Sequence, residues 1–339
     1  MTYAENSSRV LLTHGDGGLL SREMVQDIFL KYLNNPLLGQ LSDAAVFQLK
    51  GEKVATTIDG FVVDPIFFPG GDIGKLAICG TVNDLAVSGA RPVYINASFI
   101  IEEGLPLADL EKIAVAMAKA CTEAGVAIVA GDTKVVPRGH ADKIFITTSG
   151  VGVVPDGVEL GYHRPEPGDV VIINGSMGNH GLTILAAREA FGFEGALKSD
   201  CAPLNHTIFQ LLNGCPGVKL MRDLTRGGLA SAAKEIAESC GMDIFIKEAS
   251  VPVDREVRGA AEMLGLDPFY LANEGKFLAV VAAKESSRAL ELLRETQYGR
   301  GAVIIGEVRA GLGNVYLQTV LGGTKILDLL VGAPLPRIC

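Results

Sequence analysis

Apolar and polar positions repeat along this chain with two periods, and those periods divide it into helices and strands. "SREMVQDIFLKYL" (21–33) carries apolar residues at helical spacing and reads as an amphipathic helix with Ser21 as its N-cap. "KVATTIDGFVVDP" (53–65) is β-branched and closes on Pro65, so it reads as a strand. "GKLAICGTVNDLAVSGA" (74–90) looks helical but is small and apolar on nearly every face, which predicts a buried helix. "LADLEKIAVAMAKACTEAG" (107–125) is a helix stopped by Gly125. "VAIVAGD" (126–132) and "KIFITTSGVGVV" (143–154) read as strands.

"PDGVELGYHRPEPGD" (155–169) is rich in proline and glycine and marks a domain boundary. The pattern then restarts. "VVIING" is a strand, "SMGNHG" a loop and "LTILAAREAF" a helix; "LASAAKEIAESCG" (229–241) is another helix. "KFLAVVAA" (276–283) and "AVIIGEV" (302–308) are strands flanking the helix "ESSRALELLRET" (285–296). Helices and strands mix in both halves, which predicts two α/β (α+β) domains. Their expected limits are 1–155 and 156–330, followed by a mobile tail, 331–339.

Composition narrows the function. The 339 residues are 48% hydrophobic and 20% charged, enough for a large core. The net charge is −9 and no basic run occurs, which excludes a nucleic-acid binder and an anionic-membrane binder. No apolar run is long enough to cross a bilayer, and "MTYAENSSRVLLTHGDGG" lacks the basic-then-apolar order of a signal peptide. The cysteines (Cys79, Cys121, Cys201, Cys215, Cys240, Cys339) form no CxxC pair, so neither a disulfide framework nor a zinc knuckle is expected. Free thiols fit a reducing cytosol, so a cytoplasmic location is expected.

The informative residues are acids in apolar surroundings. Asp43 ("LSDAAVF"), Asp59 ("TTIDGFVV"), Asp84 beside Asn83, Asp132 ("AIVAGD"), Asp223 ("LMRDLTRGG") and Glu274 ("LANEGKF") all stand where carboxylates are costly. Each alone could be a cap, a turn residue or half of an ion pair. Together they suit hard cations, and Mg2+ takes carboxylates plus phosphate oxygens. Three glycine loops could cradle phosphate: "HGDGG" (14–18), "GSMGNHG" and "TRGGLA" (225–230), the last at a helix start. "PGGDIGKL" lacks the glycine and the Ser/Thr of a P-loop, and no GxGxxG follows a strand. His180 ("GNHG") reads as holding a loop, and Cys79 as helix packing.

The chain closes "GAPLPRIC". Cys339 is not a CaaX cysteine, which stands fourth from the end. Pro334 and Pro336 stiffen this segment, and Val331 to Cys339 can span roughly 30 Å when extended. A thiol on such an arm could enter one site and swing out to another. Its own carboxylate should raise the thiol pKa, and Arg337 should partly offset that.

"SDAAV", "TIDGFVVDPIFFPGGDIGKLAICGTVNDLAVSGARP", "GDTKVV", "DLTRGGLA", "NEGK" and "PRIC" together resemble the HypE family of hydrogenase maturation proteins, over essentially the whole chain. That family lies in the superfamily of aminoimidazole ribonucleotide synthetase, selenophosphate synthetase and thiamine-monophosphate kinase. Ser42 stands where superfamily members often have a second aspartate, which leaves open how many carboxylates bind magnesium. The resemblance implies an N-terminal domain that pairs with its copy in a homodimer to form a shared β-barrel. ATP would bind near that interface, and the C-terminal domain would be an α/β layer. It implies ATP and Mg2+ as cofactors, with Asp43, Asp59, Asp84 and Asp223 on the metal. Thr57, Asp59, Lys75, Asn83, Gly131, Asp132 and Thr225 would lie near the nucleotide.

The resemblance also implies the chemistry. The carbamoyltransferase HypF would load a carbamoyl group on Cys339, and ATP would drive its dehydration to a thiocyanate. The cyanide would pass to iron on a HypC–HypD complex, for a [NiFe]-hydrogenase. Glu274 and Lys134 are the candidate proton acceptors; Glu274 suits a base at neutral pH, and Lys134 suits neutralising phosphate. Two alternatives share the acidic residues: an ATP-using ligase or kinase acting on a free small molecule, and a nucleotide-gated assembly scaffold.

Overall fold

The computed structural model describes residues 18–33, 35–36, 38–189, 197–330, 335 and 337–339. Helix α1 (Leu19–Met24) continues through a wider π turn, Val25–Phe29, into α2 (Leu30–Leu33). The helix starts ahead of Ser21, so the expected cap lies inside it. Its start is fixed instead from outside, where the Leu19 N–H donates to the Leu330 carbonyl at 3.0 Å.

The first half then runs β1 (Ala45–Leu49), β2 (Glu52–Phe61), the short ribbon β3 (Phe67–Phe68) and β4 (Gly71–Asp72), and α3 (Ile73–Val87). It continues through β5 (Arg91–Glu102), α4 (Leu107–Ala124), β6 (Ala127–Val136) and β7 (Ile144–Val154). Its sheet has the order β1-β2-β7-β5-β6. Residues 155–169 carry no helix or strand. The second half runs β8 (Val170–Ile173), α5 (Asn179–Glu189), α6 (Asn205–Gly214), β9 (Val218–Asp223), α7 (Gly228–Cys240), β10 (Met242–Lys247) and α8 (Arg255–Leu264). It ends β11 (Phe277–Val281), α9 (Ser286–Arg294), β12 (Val303–Ala310), β13 (Val315–Gln318) and β14 (Thr324–Leu327). The second sheet has the order β14-β13-β10-β12-β8-β11-β9.

Helix α3 organises both halves. Ile73, Leu76, Ile78, Val82 and Leu85 are fully buried, as its small, apolar sequence predicts. Asp72 caps it from an extended conformation, its Oδ1 accepting the Gly74 and Lys75 N–H groups at 2.8 and 3.0 Å. Glycines let its neighbours approach. A Cβ on Gly74 would stand 2.6 Å from the Ile113 carbonyl of α4, and one on Gly150 of β7 would stand 2.6 Å from the Thr81 methyl. Gly125 ends α4 in the left-handed region, as expected.

One core spans the two halves. Ile73, Leu76, Ile113 and Ile146 pack with Leu182, Ile184, Leu197 and Leu271, and Leu335 and Ile338 join the same cluster. The other face of the first sheet is left open. Ile58, Tyr94 and Ile100 are exposed there, and edge strand β6 is exposed along nearly its whole length, with Ile128, Val129 and Val135 uncovered.

Gly74 and Gly259 make opposite predictions for one substitution. Gly74→Ala should destabilise the fold by about 1–3 kcal/mol, because the α3–α4 contact has no room for a methyl. Gly259→Ala, on exposed α8 with open space around it, should stabilise by about 0.5–1 kcal/mol. Urea unfolding midpoints of the two variants measure both signs.

Candidate functional site

Four acids converge where α3 meets the second sheet. β2 carries Asp59, α3 carries Asp84, β9 ends on Asp223, and Asp43 precedes β1. Asp59 and Asp223 each share a hydrogen bond with Asp84. Thr57 Oγ1 donates to Asp84 Oδ2 at 2.8 Å and ties it to β2. Burial raises the pKa of all four, and for Asp84 the charges of Asp59, Asp223 and Asp43 push it well up. Asp223 is pushed to about 8, by burial and then by Asp43. Arg222 relieves part of this, lying 3.4 Å from Asp43 while bonding Glu235 at 2.6 Å. Asp43 therefore has a protein partner already, whereas Asp59 Oδ2 is buried with none.

This arrangement fits Mg2+ with nucleotide better than Mg2+ alone. Among the described residues no three His, Cys, Asp or Glu side chains form a metal cage. Mg2+ asks for less, since it usually takes one or two carboxylates and completes its shell with phosphate oxygens and water. Asp59, Asp84 and Asp223 offer the carboxylates, and the unpartnered Asp59 oxygen and the raised pKa values mark a deficit of positive charge.

Beside these acids lies Glu274, in the loop leading to β11. It is buried, its Oε1 has no partner, and burial raises its pKa well above the usual carboxylate value. Burial thus disfavours the ionised form of Glu274, which works against the neutral-pH acceptor expected from sequence. It becomes an acceptor when positive charge is brought near it. Nor does Lys276 pair with it. Lys276 Nζ bonds Asp200 Oδ2 at 3.0 Å, and Asp200 also accepts the Glu274 and Gly275 N–H groups at 3.2 and 3.3 Å. Burial alone raises the Asp200 pKa, but Lys276 and these other donors outweigh it and hold Asp200 ionised. Asp200 thus fixes the loop that carries Glu274, a role its sequence setting, "LKSD", did not signal.

The described tail residues dock inward and bring Cys339 to this place. The Val62 N–H donates to an α-carboxylate oxygen of Cys339 at 3.0 Å, and the Asp64 N–H to the Arg337 carbonyl at 3.2 Å, as a strand would pair. Burial pushes the Cys339 thiol up to about 12. The cation opposing that rise is Arg226, of the "TRGG" loop, and not Arg337 as expected. Arg337 instead bonds Asp142 and donates to the Val62 carbonyl at 2.9 Å. Arg226 also acts on Asp59, Glu274 and Asp223, so it links the tail to the acids. Gly227 and Gly228 set that loop. Both have positive φ, and a Cβ on Gly228 would stand 2.5 Å from the Leu271 carbonyl.

Other expected residues lie elsewhere. Asn83 is buried, with its amide donating to the Ala202 carbonyl at 3.1 Å and accepting the Leu204 N–H at 2.8 Å. It joins the two halves and presents nothing to a nucleotide. Gly131 sits in the same sheet row as Asp59, through Thr148 and Ala97, but three strands away. Three strand spacings separate them by about 14 Å. Asp132 and Lys134 follow on the same exposed strand and pair with each other at 2.7 Å. One chain therefore does not bring Gly131, Asp132 and Lys134 to the acids. Lys75 lies at the start of α3 and donates to the Gly70 carbonyl at 3.1 Å, and Thr225 opens the Arg226 loop. In the "GSMGNHG" loop the Met177, Gly178 and Gly181 N–H groups are already taken, by the Pro252 carbonyl, Asn273 Oδ1 and the Ala272 carbonyl. Most of "HGDGG" (14–18), together with Pro334 and Pro336, falls outside the described residues.

Comparison with known proteins agrees with this architecture. The AIR synthase related protein family matches by its N-terminal domain over residues 41–154 and by its C-terminal domain over 166–317. The carbamoyl dehydratase HypE of Rhodobacter capsulatus is 48% identical over 99% of this chain and 100% of its own. A chain from a crystal structure of a HypE–HypF complex has a TM-score of 0.86 at 45% identity, covering 91% of this chain and 99% of that one. HypE crystallised with ATP has a TM-score of 0.82 at 45% identity, covering 98% of this chain and 100% of that one.

The raised acids carry a pH signature. Asp223 binds a proton in the folded state up to about pH 8 but loses it near pH 4 when unfolded. Its contribution to stability is therefore complete at low pH and is lost as pH rises through that window. Asp223→Asn should gain thermal stability over the parent increasingly from pH 5 to 8, and it should lose the stabilisation that Mg-ATP gives the parent. Thermal melts across pH, with and without Mg-ATP, read both effects.

Proposed function

Because the chain belongs to the AIR synthase related family, and within it to the HypE carbamoyl dehydratases, we propose that it dehydrates a carbamoyl group carried on Cys339. The product is a thiocyanate, and ATP drives the reaction. The observation that carries this reading is the docked tail, which sets the Cys339 thiol beside Arg226, Glu274 and the Asp59–Asp84–Asp223 row.

The chemistry follows from that placement. An amide oxygen leaves as water only with difficulty, so the γ-phosphoryl of ATP takes it over and it departs as phosphate. Bound Mg2+ would neutralise charge on the phosphates, held by Asp59, Asp84 and Asp223. Two protons must leave the carbamoyl nitrogen as the C–N bond becomes triple. Glu274, the acceptor nearest the thiol's surroundings, would take one of them once cations in the occupied site offset the burial that raises its pKa, and the departing phosphate would carry the other. Arg226 opposes the negative charge that builds between the tail and the acids.

A second copy supplies what one chain lacks. We infer a homodimer in which the exposed face of the first sheet and edge strand β6 are covered by the same surfaces of the partner. An edge strand bare on both faces with Ile128, Val129 and Val135 uncovered is not a stable free surface. That pairing would also bring Gly131, Asp132 and Lys134 toward a nucleotide at the interface. HypF is the donor of the carbamoyl group in this reading, a HypC–HypD complex the acceptor of cyanide for a [NiFe]-hydrogenase, and the cytoplasm the setting. No helix among the described residues is long and apolar enough to cross a membrane.

Intact mass after incubation with HypF, carbamoyl phosphate and Mg-ATP tests the reaction. A carbamoyl adduct on the Cys339 peptide should lose one water only when ATP is present, and Cys339→Ala should take no adduct. Glu274→Gln should still be carbamoylated but dehydrate roughly 10²–10⁴-fold more slowly. An adduct that forms and never dehydrates in the parent leaves the scaffold reading; turnover of ATP on a free small molecule without Cys339 leaves the ligase reading. Val135→Glu should shift sedimentation toward the monomer and weaken ATP binding; a dimer unchanged by it overturns the proposed interface.

A further inference from the structure

We propose that His180 is the positioning residue that latches the Cys339 tail in the dehydrating position, with Ser199 fixing its tautomer. The proposal rests on the reading of Cys339 as the carrier, and its first test does not depend on that reading.

His180 lies at the start of α5 and is fully buried. Its Nε2 stands 2.6 Å from the Ile338 carbonyl oxygen. A carbonyl only accepts, so Nε2 carries the hydrogen. Burial lowers the imidazole pKa and favours the neutral ring, so Nδ1 is bare and accepts from the Ser199 hydroxyl at 2.7 Å. Ser199 Oγ in turn accepts the Cys201 N–H at 3.1 Å, and the Ser199 N–H donates to the Pro69 carbonyl at 2.9 Å. For the neutral ring each donor and acceptor in this chain has one assignment. The Phe68 ring meets the imidazole edge-on at 5.5 Å between centroids and fixes its plane.

The geometry distinguishes this contact from the other tail bonds. Val62 and Asp64 grip the tail from the first half through their backbones. Arg188 Nη2 donates to the Arg337 carbonyl at 2.7 Å but also holds the Asp64 carbonyl at 2.8 Å, so it stays engaged when the tail leaves. His180 reaches from the second half and reads the residue next to the thiol. When the tail swings out, Nε2–H is left as a buried donor without a partner, which disfavours the released state. The tail is thus drawn back after each visit to a partner, and a one-residue slip would misplace the carbonyl that His180 reads.

The test separates a latch from a merely structural histidine. Iodoacetamide labelling, read by peptide mass, compares Cys339 with half-buried Cys240 as the internal reference. In His180→Ala the Cys339 rate should rise about tenfold, the effect of losing one hydrogen bond of ordinary strength, with Cys240 unchanged. His180→Gln, which keeps a donor at similar reach, should restore most of the protection, and Ser199→Ala should release the tail in part. On carbamoylated protein, His180→Ala should slow dehydration about tenfold while loading by HypF stays equal or quickens. A loosened fold would instead slow both steps and expose Cys240. The latch is overturned if Cys339 labelling is unchanged in His180→Ala, or if that variant does not fold and neither His180→Gln nor Ser199→Ala alters the labelling. If labelling responds but the parent never dehydrates, the latch stands and the dehydratase reading fails.

Discussion

The structure depends on a helix that has no outside. α3 is enclosed by α4, by the first sheet and by elements of the second half, and its small residues permit that enclosure. A helix buried all round cannot turn its polar positions to water. Asn83 and Asp84 must therefore be answered from within the protein. Asn83 is answered by backbone groups at Ala202 and Leu204, which makes the helix a joint between the halves. Asp84 is answered by Thr57 and by two further acids, which cannot neutralise it. The same burial that assembles the fold thus creates a place short of positive charge, at the seam where both halves contribute.

That shortage gives the site its selectivity. A carboxylate row relieved fully by arginines would be a structural ion-pair network and would bind nothing. Here Arg222 sits toward Asp43 and Glu235, and Arg226 sits toward the tail, so Asp59 keeps an unpartnered oxygen. A divalent cation arriving with a polyphosphate balances the row without overshooting, since the phosphates carry charge of their own. Glu274 feels the same field. Its proton affinity depends on how much of the neighbouring charge has been compensated, which in the proposed reaction would couple its readiness as a base to occupation of the site.

Much of this was legible in the sequence, for identifiable reasons. The all-round apolar face of 74–90 signalled the buried helix, the acids in apolar runs signalled the site, and Gly-Gly after Arg226 signalled the turn that opens α7. What stayed hidden came from tertiary pairing. β5 reads "RPVYINASFIIE", with polar residues that blur any alternation, and is a strand because β6 and β7 flank it. α8 stayed hidden although Val257, Ala260, Ala261 and Leu264 recur at helical spacing, because a glycine stands in its middle and its apolar face is narrow. Asp200 stands in an unremarkable "LKSD" and acts only because the chain folds it against the Glu274 loop. Arg337 sits next to the thiol in sequence yet turns away to Asp142, while Arg226, more than a hundred residues distant, supplies the charge. Sequence proximity is a poor guide to electrostatics wherever two domains meet.

In the proposed reaction the tail resolves a conflict that a fixed side chain could not. A thiol that reacts with a carbamoyl donor needs solvent access and a thiolate, yet dehydration of the adduct needs a place from which water is excluded. Docked, the Cys339 thiol has a pKa near 12 and is a poor nucleophile, so loading belongs to the released state. In that reaction the tail would dock again with a neutral thioester-like group in place of the thiol, free of the penalty of burying a thiolate, and the acids and Arg226 would act on the adduct instead. Strand-like pairing to Val62 and Asp64 suits such an element, because backbone bonds of this kind form and break without rearranging the core. Leu335 and Ile338 bury apolar surface on docking, and that burial favours return. The proposed chemistry therefore asks the hold to balance two needs: firmer docking would trap the thiol before loading, and weaker docking would leave the carbamoyl group in water.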